Sequence, residues 1–410
     1  MKASWPDRRL TQSQNGFFPE ENTDMERRLH FCCPSLVRRG KERFYCRDAV
    51  FLFWRKQDTW KRAAIYIILI EMEKVRLGRT NLVITKLGWG GIPIQRVGER
   101  EAVSVIQAVI EMGVDLLDTA RAYTNSEHRI GLALQRTERP IILSSKSTVR
   151  TAKIYNEVHE SLKQMKVKKI DIYHLHAISN FGDYQEVMAH GGAHEGLKRA
   201  RDEGLIDHIG ITSHNLNVLE KAIEDNHFEV IMACYSFLEP AADQKLFSLA
   251  KEKNIGVLAM KPFSGGVIEH AGPALRFVLS TANIVPIPGS ETLEKARENW
   301  KIFTEGYSLT EKDREQIEAL RKEFDRQFCR RCDYCQPCAE KINIQFAVGL
   351  KSIFKRFGPG AREVGWMKEL INKARNCSEC GECLPRCPYQ LPIPDMIREN
   401  LAWFDSLQNQ

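Results

Sequence analysis

Two sets of side chains in this 410-residue chain have the types and spacings that chemistry needs. The first is a set of thiols. Of twelve cysteines, eight lie between Cys329 and Cys387 in two tight groups, while Cys32, Cys33, Cys46 and Cys234 are scattered. Clustered cysteines in a long chain of intracellular character point to metal rather than to disulfides. The run Cys377-x2-Cys380-x2-Cys383-x3-Cys387, closed by Pro388, has the spacing with which thiolates wrap a [4Fe–4S] cluster. The earlier run, Cys329-x2-Cys332-x2-Cys335-x2-Cys338, is one residue shorter at its last gap and has Ala339 where proline is expected. A second cluster and a structural zinc both fit that run. Where two clusters share one module, the fourth cysteine of each run ligates the other cluster. By that logic Cys329, Cys332, Cys335 and Cys387 hold one cluster, and Cys338, Cys377, Cys380 and Cys383 the other.

The second set is Asp118, Tyr123, Lys146 and His176. Its chemistry would be carbonyl reduction. Hydride delivery to a carbonyl carbon builds negative charge on oxygen, so a proton donor must stand close. A phenol with a reference pKa of ~10 is a weak acid until a nearby ammonium stabilises its phenolate. Lys146 can supply that charge, and Asp118 can hold Lys146 by an ion pair. His176 can donate a hydrogen bond that orients the carbonyl and supports the developing oxyanion.

Something must bring these four residues together. From Met72 to about Trp300 short apolar runs alternate with amphipathic segments. The runs are Leu87–Gly90, Val114–Leu117, Ile141–Leu143, Ile170–Leu175, Ile206–Ile211, Val230–Ala233, Val257–Met260 and Ile284–Ile287. Ala102, Val103, Val105, Ile106, Val109 and Ile110 form one helical stripe between them; Ile154, Val158, Leu162 and Met165 form another. Eight strand–helix repeats predict an α/β chain, a (β/α)8 TIM barrel over residues 72–310. The competing class is an open doubly wound sheet, which would carry a glycine-rich phosphate loop after its first strand. That place holds Gly88-Trp89-Gly90-Gly91-Ile92-Pro93, without the required spacing. In the barrel, Asp118, Lys146 and His176 end consecutive strands, and working residues sit at that end. Residues 310–328 read as a charged helix. The cysteine groups follow in a small second domain over 320–400, with a Gly-Pro-Gly break at Gly358–Gly360.

The stretches Asp118-Thr-Ala-Arg-Ala-Tyr123, Ile142-Leu-Ser-Ser-Lys146, Asp171-Ile-Tyr-His-Leu-His176, Gly210-Ile-Thr-Ser213-His-Asn215 and Ile287-Pro-Gly-Ser290 resemble the aldo/keto reductase family. The two cysteine runs resemble the α-helical ferredoxin-like iron–sulfur domain that follows the barrel in some members. The resemblance implies NADP or NAD bound without a Rossmann domain, and a catalytic tetrad of Asp118, Tyr123, Lys146 and His176 with Tyr123 as acid/base. It also implies cofactor contacts at Gly91, Ser213, Asn215, Tyr235, Gly289, Ser290, Lys295 and Asn299, with Tyr235 stacking on the nicotinamide. Two positions depart from the family. Met232 stands where a glutamine often meets the nicotinamide, and Lys295 where an arginine often meets the 2′-phosphate. Lysine binds phosphate as a point charge without arginine's fork, so NADP and NAD both stay open. His174, on the same strand face as His176, reads as a packing or supporting residue.

The implied function is reduction of an aldehyde or ketone to an alcohol, with [4Fe–4S] clusters for electron transfer or for docking a redox partner. The alternative is a non-catalytic redox sensor or regulatory subunit built on the same barrel. Net charge is +7, but residues 1–71 hold 14 Lys/Arg against 9 Asp/Glu and so carry +5 of it. The remainder lacks the clustered basic face of a nucleic-acid binder. The longest apolar run, Ala63–Ile70, is too short to span a membrane. It also lacks the flanks of a secretory signal. Residues 1–71 show no sustained period and read as a disordered extension or as a start assigned upstream of Met72. A cytoplasmic location and a small-molecule carbonyl substrate are expected.

Overall fold

Each of the eight apolar runs forms a strand, and all eight are parallel neighbours in chain order. They are β1 (Trp89–Gly90), β2 (Leu116–Asp118), β3 (Ile142–Ser147), β4 (Ile170–Leu175), β5 (Ile206–Ser213), β6 (Val230–Cys234), β7 (Gly256–Met260) and β8 (Val285–Pro286). The Gly88 N–H donates to Pro286 O at 2.9 Å and the Gly90 N–H to Pro288 O at 3.1 Å, which joins β1 to β8 and closes the barrel. Gly289 is required at that seam. A Cβ there would stand 2.5 Å from the Pro93 ring and 2.9 Å from Gly90 O. The computed structural model describes residues 72–357 and 363–407, with the backbone of three short strands at Val37–Arg38, Arg43–Cys46 and Ala49–Leu52. The remainder of residues 1–71 and the Gly358–Gly360 break lie outside the described residues.

Strand alternation sorts the side chains into two cores. Leu116, Ile172, Val230, Met232, Leu258, Val285 and Ile287 fill the barrel interior. A hairpin, Lys74–Arg76 with Val83–Thr85, adds Leu77 and Ile84 to that cluster. Burying each is worth about 1.5–3 kcal/mol. The outward residues of the strands pack against the helices in the largest cluster. The first helix, α1 (Glu99–Met112), shows why the amphipathic segments fold as they do. Glu99 and Glu101 sit in the first turn, where the helix dipole favours anions. Ala102, Val103, Val105, Ile106, Val109 and Ile110 are buried as one stripe, and Gly113 ends the helix at φ 119°. The Ile154 stripe is α3 (Ile154–Met165).

After the barrel comes the charged helix α10 (Glu311–Glu323), opened by a capping box between Thr310 and Asp313. The cysteine region is built on α11 (Ile344–Val348), α12 (Leu350–Phe357), α13 (Gly365–Ala374) and α14 (Ile393–Ser406). Barrel and cysteine region share one compact unit, Glu73–Gln410. No helix among the described residues is long and apolar enough to cross a membrane.

His194, in the first turn of the helix Ala193–Asp202, is pushed down to about 4 by burial, with His227 and Lys198 adding to the effect. Below pH ~6.5 the unfolded chain takes up a proton that the folded chain refuses, so this contribution to stability is lost as pH falls from ~6.5 towards 4. Unfolding free energies from urea titrations at pH 7.5 and 5 should therefore differ by about 1–3 kcal/mol more for the parent than for His194→Gln. Equal pH slopes for the two proteins would refute the assignment.

Candidate active site and cysteine array

The C-terminal ends of β2, β3 and β4 converge on a buried charge pair. Lys146 Nζ donates to Asp118 Oδ2 at 2.6 Å and to Thr119 O at 2.8 Å. Both side chains are almost fully buried. Burial pushes Lys146 down, but the Asp118 carboxylate and Tyr123 outweigh it and raise the net value. Burial likewise pushes Asp118 up, opposed by Lys146 and by a hydroxyl donor, Ser144. The 2.6 Å contact, with Ser144 as a second donor on Asp118, is that of a buried ion pair, in which the Lys146 ammonium is favoured. Lys146 Nζ lies 5.0 Å from the centre of the Tyr123 ring. Tyr123, 6% exposed, meets His176 edge-on at 6.0 Å between ring centroids. The four side chains predicted to act together are thus brought to one place.

Backbone pairing beyond the strands holds them there. The Arg121 N–H donates to Lys146 O at 3.0 Å, pinning the loop that carries Tyr123, and the His176 N–H donates to Ser147 O at 3.0 Å. Arg150 clamps the following turn through His176 O at 2.8 Å and Ala177 O at 2.7 Å.

The predicted cofactor contacts divide. Ser213 Oγ donates to Ile178 O at 2.6 Å and accepts from Asn215 N at 2.9 Å; Asn215 Nδ2 donates to Ser179 O at 3.3 Å. The end of β5 is therefore tied to the loop that follows His176. The Gly91 N–H donates to Asp118 O at 2.7 Å, and a Cβ at Gly91 would stand 2.6 Å from Ser126 Oγ. Ser290 is fully buried and accepts from Trp89 Nε1 at 2.9 Å. Asn299 is buried on α9 (Leu293–Thr304). Lys295, 56% exposed, pairs with Glu291 at 2.6 Å.

Tyr235 does not join this group. One residue past the end of β6, it joins Ile231 and Ala233 in the core between strands and helices, packs between Phe247 and Phe277, and contacts Thr281 Oγ1 at 3.0 Å. Met232 lies on the opposite, inward face. The two side chains thus belong to different cores, Tyr235 to the one between strands and helices and Met232 to the barrel interior.

The eight clustered cysteines fall into two groups. Cys329, Cys332, Cys335 and Cys387 line one cavity. Cys338, Cys377, Cys380 and Cys383 line a second, which Cys335 also borders. All nine described cysteines are free thiols. Among the described residues no three His, Cys, Asp or Glu side chains lie close enough to hold a single metal ion.

Sequence reasoning missed the way this module meets the barrel. Arg331, between two clustered cysteines, donates to both Glu239 oxygens at 2.9 Å beyond the end of β6. Tyr334 accepts from Asn217 Nδ2 at 3.2 Å, after β5. Arg330 and Arg321 donate to Leu238 O and Phe237 O. A polar cleft runs between Ser179, Asn180 and Asp183, after β4, and Asp333, Gln336 and Lys341. The cysteine module therefore stands on the loops at the C-terminal end of the barrel, the end that carries Tyr123 and His176. Contacts across about ninety residues leave no local signal.

Residues 85–272 match the model of the aldo/keto reductase family, and residues 328–392 match a 4Fe-4S dicluster domain. An uncharacterized oxidoreductase of Bacillus subtilis is 28% identical over 212 residues, which cover 48% of this chain and 67% of the relative. An NADH-specific methylglyoxal reductase of Escherichia coli is 26% identical over 232 residues, covering 48% of this chain and 69% of that protein. The holo form of an aldo-keto reductase of Bacillus halodurans superposes with a TM-score of 0.53 at 23% identity, covering 61% of this chain and 96% of its own. A Klebsiella pneumoniae aldo-keto reductase in complex with NADPH superposes at 0.51 and 18% identity, covering 61% of this chain and 95% of its own. A closed eight-stranded barrel and two cavities lined by free thiols agree with both domain matches: the chain carries an aldo/keto reductase domain followed by a 4Fe-4S dicluster domain.

Proposed function

We propose that this chain reduces an aldehyde or ketone to the alcohol, using NADH or NADPH at the C-terminal mouth of the barrel. The observation that carries the reading is the buried Lys146 ammonium, bonded to Asp118 at 2.6 Å and standing beside the Tyr123 ring. Gly91, Ser213, Asn215 and Ser290 would help to hold the nicotinamide cofactor, which when bound would supply the hydride for the carbonyl carbon. Tyr123 gives its phenolic proton to the carbonyl oxygen and later recovers one from solvent. Lys146 stabilises the phenolate left behind, and Asp118 keeps Lys146 charged and in place. His176 donates to the same carbonyl oxygen and orients it. Lys295 is already compensated by Glu291, which supports use of NADH alongside NADPH. The test is oxidation of NADH and of NADPH in the presence of a panel of aldehydes and ketones. No carbonyl-dependent oxidation of either would defeat the reading.

The two thiol groups would each hold a [4Fe–4S] cluster, serving single-electron transfer or docking of a redox partner. Free thiols in such number favour a reducing compartment, the cytoplasm. Anaerobically purified protein should carry roughly eight iron and eight sulfide per chain. Cys387→Ala should lose about half of each and keep the signal of the other cluster. Zinc in place of iron, or a full iron complement in Cys387→Ala, would overturn the assignment.

A further inference from the structure

The reading of the barrel as a carbonyl reductase leaves the fully buried imidazole of His174 without a part. His174 lies on β4 two residues before His176, so both point into the barrel. Ser144 lies two residues before Lys146 on β3 and shares its face in the same way. Ser144 Oγ donates to Asp118 Oδ1 at 2.8 Å and lies 3.0 Å from His174 Nε2.

The proton positions follow from counting. A hydroxyl has one proton. Asp118, paired with Lys146, is ionised and can only accept, so the Ser144 proton points at Oδ1. The contact with His174 must then be Nε2–H donating to Ser144 Oγ. That assigns the imidazole tautomer and leaves Nδ1 as an acceptor. Nδ1 is buried and has no hydrogen-bond partner. Its surroundings are shaped to admit the ring. Gly210 of β5 is paired with His174, and any Cβ at Gly210 would stand 2.1 Å from Nδ1. Burial, reinforced by the Lys146 charge, holds the imidazole well below its usual range, hence neutral. The titratable groups sharing this core are Asp118, Lys146, Tyr123 and His176.

We propose that His174 and Ser144 are positioning residues for the reductive chemistry: a two-step donor relay that aims one carboxylate oxygen of Asp118 at Lys146 and draws negative charge onto the other. Without the relay, Asp118 can rotate, and its charge concentrates on the oxygen facing Lys146. The ammonium is then more fully compensated and supports the Tyr123 phenolate less. The inference rests on the reductase reading, and its test is chosen so that the two can fail separately.

Ser144→Ala and His174→Leu should lower kcat about 10- to 100-fold, the scale of one hydrogen bond to a charged group. KM for the carbonyl and NAD(P)H affinity, followed by nicotinamide fluorescence, should change less than about twofold. The limb of the kcat/KM pH profile that reports the acid should move to higher pH in both variants. His174→Gln, whose amide N–H can replace the Nε2 donor, should restore most of kcat and the parental profile. Independently of activity, NMR of ¹⁵N-histidine-labelled protein, with His194 identified by its loss in His194→Gln, should show a further imidazole that stays a neutral Nε2–H tautomer between about pH 5 and 9. That signal should be absent in His174→Gln and shifted in Ser144→Ala. A His174 that titrates normally or adopts the Nδ1–H tautomer overturns the relay, as do unchanged kcat and pH profile in Ser144→Ala and His174→Leu. If the parent protein reduces no carbonyl, the reductase reading fails while the NMR result still decides the relay.

Discussion

Tyr123→Phe is expected to lower kcat for carbonyl reduction by about 10²- to 10⁴-fold, the range that a positioned acid contributes. The substitution removes one oxygen and keeps the ring, which is 6% exposed and packed edge-on against His176. The fold should be little affected, because Lys146 retains Asp118 and Thr119 O as acceptors. Binding of NAD(P)H should also persist, since no cofactor-contact residue changes. A fall in kcat with nucleotide affinity unchanged would locate the loss in the chemical step. Undiminished turnover by the phenylalanine variant would remove Tyr123 from the mechanism and leave His176 or solvent as the proton source.

Arg331→Met is expected to destabilise the docking of the cysteine module on the barrel by about 3 kcal/mol. Removing one partner of a buried ion pair typically costs about 3–5 kcal/mol, because the other charge is left uncompensated. Glu239 keeps only 6% of its side-chain surface and Arg331 20%, so the lower end of that range applies. Burial opposes the charge on Arg331, yet the Glu239 carboxylate more than offsets it and raises the guanidinium further. Lysine should rescue in part, since a single nitrogen, Nη2, meets both Glu239 oxygens and an ammonium can imitate it as a point charge. The double variant Arg331→Met/Glu239→Gln should recover much of the loss, because no buried charge then stands alone. The readouts are the urea midpoint and the rate of proteolysis after residue 310. Iron content should hold, as every cysteine remains. An equally stable Arg331→Met protein would show that the pair is a bystander to docking.

The placement of that contact matters for what the module does. It stands on loops following β4, β5 and β6, beside the tetrad rather than at the far end of the barrel. A module attached merely in sequence could have packed anywhere on the helical ring.

Much of this protein was legible in its sequence. Eight apolar runs at regular spacing foretold eight strands, since a strand buried on both faces must be apolar throughout. The order Asp118, Tyr123, Lys146, His176 followed, because consecutive parallel strands bring their ends to one face. The cysteine spacings carried cluster chemistry for an equally local reason: short gaps limit which thiols can surround one centre. His174 read from the sequence as a packing or supporting residue; its contact with Ser144 arises only when β3 and β4 pair. What only the tertiary structure decided lies where strand parity or distance in the chain governs. Tyr235 is an aromatic next to the mouth in sequence, yet parity turns it outward into the helices. Lys295 is a cation in the expected place, yet Glu291 compensates it. Arg331 reaches a glutamate 92 residues away, and no periodicity encodes such a meeting. Local pattern specifies elements and faces; which faces meet depends on closure of the barrel and on where the last domain settles.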